Sequence, residues 1–176
     1  MDAYKAIITK RDTRAYTEDP IPEEVLQRIV QAGRMAGSSK NTQPVRLVVV
    51  TDREWLKEIA KCGTFSQPLL GAAAGIAVCA APDGSDFDAG RAAQNMMVAA
   101  WNEGIASCPT SMHDQPCIRE KLKLPQDVKD EASGRTGWRV VVVLALGYPR
   151  PDVPMSMGRK RVEMGEYAHR QVWGGR

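Results

Sequence analysis

The chain has 176 residues, a formal net charge of +3, 43% hydrophobic residues and 26% charged residues. A chain of this length is expected to form one domain with a substantial core, because it hides roughly 70% of its unfolded surface on folding. Its apolar runs are far shorter than the roughly 20 residues that span a bilayer, and its few aromatic residues do not alternate with basic ones, which argues against membrane and nucleic-acid proteins.

The first third of the chain predicts three helices and one strand. Asp2 can cap a short helix, and Pro22 followed by two acidic residues marks the start of the second helix. Val45 opens an apolar run without clean alternation, which predicts a strand buried on both faces. The predicted elements are helices over 2–8, 22–36 and 52–62 and a strand over 45–51.

The rest of the chain predicts two further strands, two further helices and a tail. The longest helix carries an alanine and methionine stripe and ends before Gly104, which serves as its C-cap. The tail, 155–176, is rich in arginine and glycine and has no core face, so we expect it to pack on a partner subunit. The predicted elements are strands over 75–81 and 138–146 and helices over 86–103 and 114–122.

The four cysteines predict no metal site and no disulfide framework. Cys62, Cys79, Cys108 and Cys117 show no C-x-x-C spacing, and two of them lie in apolar segments. With no apolar targeting segment at the start of the sequence, we expect a cytoplasmic protein with buried, reduced thiols. The two histidines are too few to indicate a metal site.

Positive charge is concentrated near both ends of the sequence. Lys10, Arg11 and Arg14 surround Asp12 in a predicted loop, and a second cluster runs from Arg159 to Arg161. A phosphate is best bound by several charge-assisted donors, and arginine grips two of its oxygens at once. The pattern therefore indicates a phosphate site, although solvated helix ends would produce similar runs.

Four segments in order carry a resemblance to a known family. The segments are 10–24, with the pattern basic-Arg-Asp-Thr-Arg-x-aromatic and then Pro-Ile-Pro-Glu-Glu; 36–44, Ala-Gly-Ser-Ser-Lys-Asn-Thr-Gln-Pro; 88–105, within the long helix; and 158–174, with Gly-Arg-Lys-Arg and Trp-Gly. Together they resemble the nitroreductase family of FMN-dependent oxidoreductases. The resemblance implies an α+β fold with a mixed central β-sheet flanked by helices, and a homodimer with two FMN molecules at its interface. Residues 1–154 would form the FMN-binding core, and 155–176 an arm that completes the dimer and the phosphate site.

The resemblance also implies which residues bind FMN. Lys10, Arg11 and Arg14 would hold the phosphate and Asp12 the ribityl hydroxyls, with Arg159 and Arg161 completing the clamp. The remaining cofactor-binding residues are Ser38, Ser39, Asn41 and Gln43, which would reach the flavin of the opposite subunit; Thr110, Ser111 and Met112, beside the isoalloxazine ring; and Gln67, near its pyrimidine edge.

The implied activity places the chemistry on the cofactor. Hydride from NADH or NADPH would reach flavin N5, and a flat, electron-poor acceptor such as a nitroaromatic or a quinone would then take its place, giving ping-pong kinetics. No catalytic side chain and no metal are expected. The residue after Gln43-Pro44 is Val45 rather than a bulky aromatic, and the chain is short near residues 82–85 and 123–137, which predicts an open pocket.

Three alternatives stay open from the sequence. The same fold could perform other flavin chemistry, such as enone reduction, reductive dehalogenation or flavin fragmentation. The chain could instead be a flavin-binding module without turnover. A small basic nucleic-acid-binding protein is the third alternative, which only the terminal clusters support.

Overall fold

The computed structural model describes residues 1–127, 129, 134–154 and 160–175. These residues form six helices, four strands and two 3₁₀ turns. The helices are α1 (Ala3–Thr9), α2 (Glu23–Arg34), α3 (Arg53–Ala60), α4 (Asp86–Asn102), α5 (Gln115–Lys121) and α6 (Met164–Tyr167). The strands are β1 (Val45–Val50), β2 (Ala74–Ala80), β3 (Ala106–Thr110) and β4 (Arg139–Gly147), and the turns are Ser39–Asn41 and Gln67–Gly71.

The four strands form one sheet in the order β1-β2-β4-β3, with helices on both faces. Side chains that alternate along β2 enter different clusters: Ile76 and Val78 pack with α2 and α4, whereas Ala77 and Cys79 pack with α3 and α5. This arrangement confirms the predicted α+β class. Every strand pair is antiparallel, so the sheet is not mixed within the described residues. The parallel pairing of Asp12 with Ser107 is an isolated bridge outside the named strands.

Side-chain caps start most of the predicted helices where the sequence places them. Each cap accepts a hydrogen bond from a backbone N–H two or three residues later, which satisfies a donor that the helix leaves free. The pairs are Asp2 with Lys5 N (2.9 Å), Asp52 with Trp55 N (2.8 Å), Ser85 with Phe87 N (3.0 Å) and Asp114 with Cys117 N (3.0 Å). Gly104 follows α4 with φ of +77°, as expected for a helix C-terminus.

Two strand predictions are wrong in detail. β1 is an edge strand and most of its side chains are only half-buried, because nothing among the described residues pairs with its outer edge. β3 is missing from the sequence-based prediction, since it has five residues, includes Pro109 and lacks alternation. Pro109 is tolerated there because β3 lies at the other edge of the sheet.

The expectation that all four cysteines are reduced thiols is also wrong. Cys62 and Cys117 form a disulfide across 55 residues, with Cα atoms 5.6 Å apart. Packing of α3 and α5 on the same face of the sheet brings them together, and no sequence spacing reports that contact. Cys79 and Cys108 are free and buried, as predicted.

Within the described residues, no helix combines the length and apolarity that crossing a bilayer requires.

The end of β4 packs tightly against an aromatic ring. Gly147 lies under Tyr16, so that a Cβ atom on residue 147 would come within 2.8–2.9 Å of three Tyr16 carbons. We expect Gly147→Ala to lower the free energy of unfolding by about 1–3 kcal/mol, because the backbone or the ring must shift. Urea denaturation measures this effect. Gly71→Ala is the matched control, since no atom lies within 4 Å of that position, and equal destabilisation by both changes would contradict the packing argument.

Candidate functional site

The basic loop, residues 10–17, is fixed to two strands. Asp12 forms the parallel bridge to Ser107 of β3, and Thr13 N donates a 3.0 Å hydrogen bond to the Ser107 carbonyl. At its other end, Thr17 N donates to the carbonyl of Tyr148, one residue after β4, over 2.9 Å. The loop therefore holds a defined position over the β3 edge of the sheet.

Tyr16 supports this loop from beneath. Its hydroxyl lies 2.5 Å from the carbonyl oxygen of Thr13 and 3.2 Å from that of Ala145, both of which accept hydrogen bonds. Burial, with smaller contributions from Cys108 and Asp12, raises the pKa of Tyr16 well above its ordinary value. The hydroxyl therefore remains a neutral donor. Tyr16 is a supporting residue that was not predicted from the sequence, although the basic pattern ends on it.

The three cations of the loop have different surroundings. Lys10 pairs with the Asp12 carboxylate, and its Nζ lies 3.5 Å from the sulfur of Met97. Arg11 donates to the carbonyls of Ile8 (2.9 Å) and Lys10 (2.8 Å), where α1 ends. Arg14 is exposed and makes no hydrogen bond or ion pair within the described parts of the chain. Its charge is available to an external anion.

The charges of the basic loop influence the thiol of Cys108 in β3. Burial raises the pKa of this thiol, while Arg14 lowers it, Asp12 raises it and Lys10 lowers it. All three charges influence one sulfur atom, so the charged groups of the basic loop act on the β3 edge of the sheet. Among the predicted residues, Lys10 and Asp12 form an ion pair.

Two buried hydroxyls beside the loop keep unused hydrogen-bonding capacity. Thr13 is 2% exposed and Ser107 is 1% exposed, and neither side-chain oxygen has a hydrogen-bond partner among the described residues. Buried hydroxyls are normally paired, and unpaired ones mark places where a ligand or water completes the network. These two atoms and the free charge of Arg14 fit a site for a phosphorylated ligand.

The segment after β3 is held by the core. The Thr110 hydroxyl donates a 2.8 Å hydrogen bond to the carbonyl of Val143 in β4, and Met112 is 5% exposed within the core. Ser111 is exposed. A ligand beside this segment would meet the main chain and Ser111, because the other two side chains are committed to packing.

The loop between α2 and β1, residues 38–44, is conformationally strained. Lys40, Asn41 and Gln43 have φ values of 51°, 55° and 50°, a region that residues other than glycine rarely adopt. Ser38 closes the loop by accepting a 2.9 Å hydrogen bond from Gln43 N. Strain of this kind costs about 1–3 kcal/mol per residue and is concentrated at functional sites.

This strained loop borders a cavity of about 410 Å³. Its lining includes Ser38 and Gln43 from the loop, Arg46 from β1 and Asp88 from α4. No hydrogen bond or ion pair within the described residues joins the strained loop to the basic loop. The predicted site residues on the two loops therefore form two groups, with no polar contact between them among the described residues.

The remaining predicted residues are not brought into either group. Gln67 is exposed and donates to the carbonyl of Thr64 over 3.3 Å. Arg161 is exposed, and Arg159 lies outside the described residues, so the expected meeting of the two terminal clusters stays a prediction. Trp173 is 92% exposed and Tyr167 is 75% exposed, so the described part of the tail lacks a core contact of its own.

Comparison with known proteins places this geometry among flavoproteins. A model of the nitroreductase family matches residues 7–63 and 67–148. A relative from Archaeoglobus fulgidus, named as a candidate NADH dehydrogenase/NAD(P)H nitroreductase, is 31% identical, with 98% of this chain and 99% of the relative covered. An NADPH-flavin oxidoreductase from Vibrio harveyi is 33% identical over 57% of this chain and 50% of its own length.

A solved structure supports the same fold. The crystal structure of another candidate NADH dehydrogenase/NAD(P)H nitroreductase, from Parabacteroides distasonis, superposes with a TM-score of 0.80 and 24% identity. The match covers 97% of this chain and 98% of that one. The helices and antiparallel sheet described above are thus shared across the whole length.

The Thr110 hydroxyl provides a test of which predicted contacts are structural. We expect Thr110→Val to lower the free energy of unfolding by about 1–3 kcal/mol, because the buried carbonyl of Val143 loses its donor. Flavin affinity, measured by fluorescence titration, should change less than about twofold, well below the effect of losing one direct hydrogen bond. Thr110→Ser keeps the donor and is the control. Weak flavin binding by the valine variant at full stability would instead make the hydroxyl a ligand contact.

Proposed function

The chain belongs to the nitroreductase family, and we propose that this member reduces flat, electron-poor acceptors, such as nitroaromatics and quinones, with electrons from NADH or NADPH. It is an NAD(P)H-dependent flavin oxidoreductase with FMN as its cofactor. The assignment of the site depends on Arg14, which is exposed and has no hydrogen bond or ion pair among the described residues. Beside the basic loop, the buried hydroxyls of Thr13 and Ser107 also lack hydrogen-bond partners there.

The basic loop would hold the phosphate of FMN. Arg14 offers a guanidinium without a partner among the described residues, and Lys10 offers an ammonium group that is paired with the Asp12 carboxylate. Arg11 is partly engaged by carbonyls at the end of α1, so its contribution would be smaller than that of Arg14. Asp12 would accept hydrogen bonds from the ribityl hydroxyls, since it remains 44% exposed in its side chain.

We propose that each cofactor site is completed by a second copy of the chain. Two observations support this arrangement: the strained loop has no polar link to the basic loop within the described protomer, and the aromatic residues of the tail are exposed. Ser38, Ser39, Asn41 and Gln43 would then serve the flavin of the partner. Exposed apolar groups at a chain end favour burial in an assembly, where they leave water.

When bound, FMN supplies the hydride-accepting and hydride-donating chemistry of the reaction. The chain's own residues would bind and orient. Ser111 and the main chain after β3 would present hydrogen-bonding groups to the ring, while the backbone pairing of β3 with β4 keeps them in place. Phe65 and Leu70, which flank Gln67 and are 73% and 54% exposed, would offer an apolar surface to a flat acceptor.

We expect the nicotinamide donor and the acceptor to bind the same face of the flavin ring in turn. Anaerobic titration with NADH and with NADPH, followed by absorbance spectroscopy, tests the first half of this scheme. Steady-state rates at several fixed donor concentrations test the second half of the scheme. We expect parallel double-reciprocal lines with a nitroaromatic and with a quinone as the acceptor. A protein that retains flavin but is never bleached by either nicotinamide would be a binding module instead, which would overturn the proposal.

Arg14 should dominate phosphate binding. We expect Arg14→Gln to weaken FMN binding by roughly 10- to 150-fold, because a charge-assisted hydrogen bond to the phosphate is worth about 1.5–3 kcal/mol. The free energy of unfolding of the apoprotein should not fall, since Arg14 has no partner among the described residues. Isothermal titration with FMN and with riboflavin measures both the loss and its dependence on the phosphate.

Arg53→Gln is the matched control for that change. Arg53 is also an exposed arginine, it starts α3, and its guanidinium is engaged by the carbonyl of Glu18, whereas Arg14 has no such partner among the described residues. Its replacement should leave FMN affinity unchanged. If the two variants weaken binding equally, or if Arg14→Gln weakens riboflavin as much as FMN, the phosphate assignment is wrong.

A further inference from the structure

The disulfide between Cys62 and Cys117 lies against the segment expected to meet the flavin ring. Cys62 follows α3 and is 2% exposed, whereas Cys117 lies in the first turn of α5 and is half-buried. The segment between β3 and α5, residues 111–114, ends three residues before Cys117. Cys62 is thus buried, and Cys117 is the more exposed half of the bridge.

Hydrogen bonds and close packing hold residues 111–114 against both ends of the bridge. Asp114 N donates to the Cys62 carbonyl over 3.1 Å, and the Asp114 carboxylate accepts from Cys117 N over 3.0 Å. A Cβ atom on Gly63 would lie 2.7 Å from the carbonyl oxygen of Ser111 and 3.2 Å from the Met112 sulfur. The position of the segment is therefore coupled to the distance between the two cysteines.

The two free cysteines differ from this pair. Burial raises the pKa of the Cys79 thiol to about 12 and also raises that of Cys108. Both are buried in the sheet and have no cysteine partner. Thiol chemistry requires a thiolate and access to a reagent, so neither is suited to exchange. Cys117 is half-buried and is the least buried of the four cysteines, so we take it as the one that a reagent reaches.

We propose that Cys62 and Cys117 form a reversible thiol–disulfide site, which takes a dithiol as its reductant and whose oxidised form fixes residues 111–114 for flavin binding. The structural half of this proposal stands on the contacts above. The flavin half rests on the proposed function, since it assumes that residues 111–114 lie beside FMN.

The exchange reaction balances without a further reagent. One thiolate of the dithiol attacks the sulfur of Cys117, the Cys62–Cys117 bond breaks, and Cys62 leaves as a thiolate that takes up a proton. The second thiol of the reductant then attacks its own sulfur in the mixed disulfide and releases Cys117. Two electrons and two protons pass from the dithiol to the protein, and the reductant leaves as its disulfide.

Reduction should loosen the segment without unfolding the chain. The Asp114 cap and the core contacts of Ile118 remain after the bond breaks, so α5 can persist. The covalent limit on the separation of α3 and α5 is lost, however, and local opening becomes easier. Reduction would therefore free the segment beside the flavin to move, without removing any atom that binds the flavin.

Hydrogen exchange and thiol counting test the proposal on the full-length protein. After air oxidation and then denaturation, the protein should react with a thiol reagent at two cysteines. After treatment with dithiothreitol, the denatured protein should react at four. Amide exchange in peptides covering residues 111–118 should become roughly tenfold faster on reduction, with and without FMN. FMN should dissociate roughly tenfold more readily from the reduced protein, by equilibrium titration. Four reactive thiols in the oxidised sample, or unchanged exchange after reduction, would overturn the proposal.

Three variants separate the bridge from general effects of the reductant. Cys62→Ser with Cys117→Ser should show the fast exchange permanently and no response to dithiothreitol, and Cys62→Ala with Cys117→Ala repeats the test if the serine pair folds poorly. Cys79→Ala should respond as the parent chain does. A chain that binds no FMN in either redox state would refute the proposed function, and the amide-exchange result would still decide whether Cys62 and Cys117 form a thiol–disulfide site. FMN affinity that is unchanged on reduction would refute the link between that site and flavin binding.

Discussion

The attachment of the basic loop to β3 is the constraint on which the candidate site depends. Arginine and lysine side chains bind a phosphate strongly only when their backbone is fixed beforehand, because ordering a free loop offsets the gain. Here the Asp12–Ser107 bridge and the Thr13–Ser107 hydrogen bond fix it, and Tyr16 fills the space between the loop and β4. The cations are therefore presented by a rigid edge of the sheet, although they lie on a loop.

Much of the fold could be predicted from local chemistry. The caps at Asp2, Asp52 and Asp114 and the glycine after α4 each act within a few residues, so the sequence reports them directly. β3 could not be predicted in this way, because five residues including a proline become a strand only through pairing with β4. The half-burial of β1 is likewise a consequence of strand order, which no local pattern contains.

The candidate site shows the same division between local and long-range information. The basic residues of the loop could be named from their pattern, and Lys10 and Asp12 form an ion pair there. Their partner Ser107 and the thiol of Cys108 are about 95 residues away in sequence, and only the fold brings them there. The disulfide was missed for this reason as well, since Cys62 and Cys117 meet through the packing of α3 and α5.

β3 connects the two ends of the proposed cofactor site. Ser107 holds the basic loop, and Thr110, three residues later, is tied to β4 by its hydroxyl. At about 3.3 Å per residue, these two points are about 10 Å apart along a strand that cannot stretch. Beyond Thr110 the chain passes directly to the segment beside the disulfide. A change in the bridge would therefore act on the ring end of the site alone, while the phosphate end stays fixed by contacts that contain no cysteine.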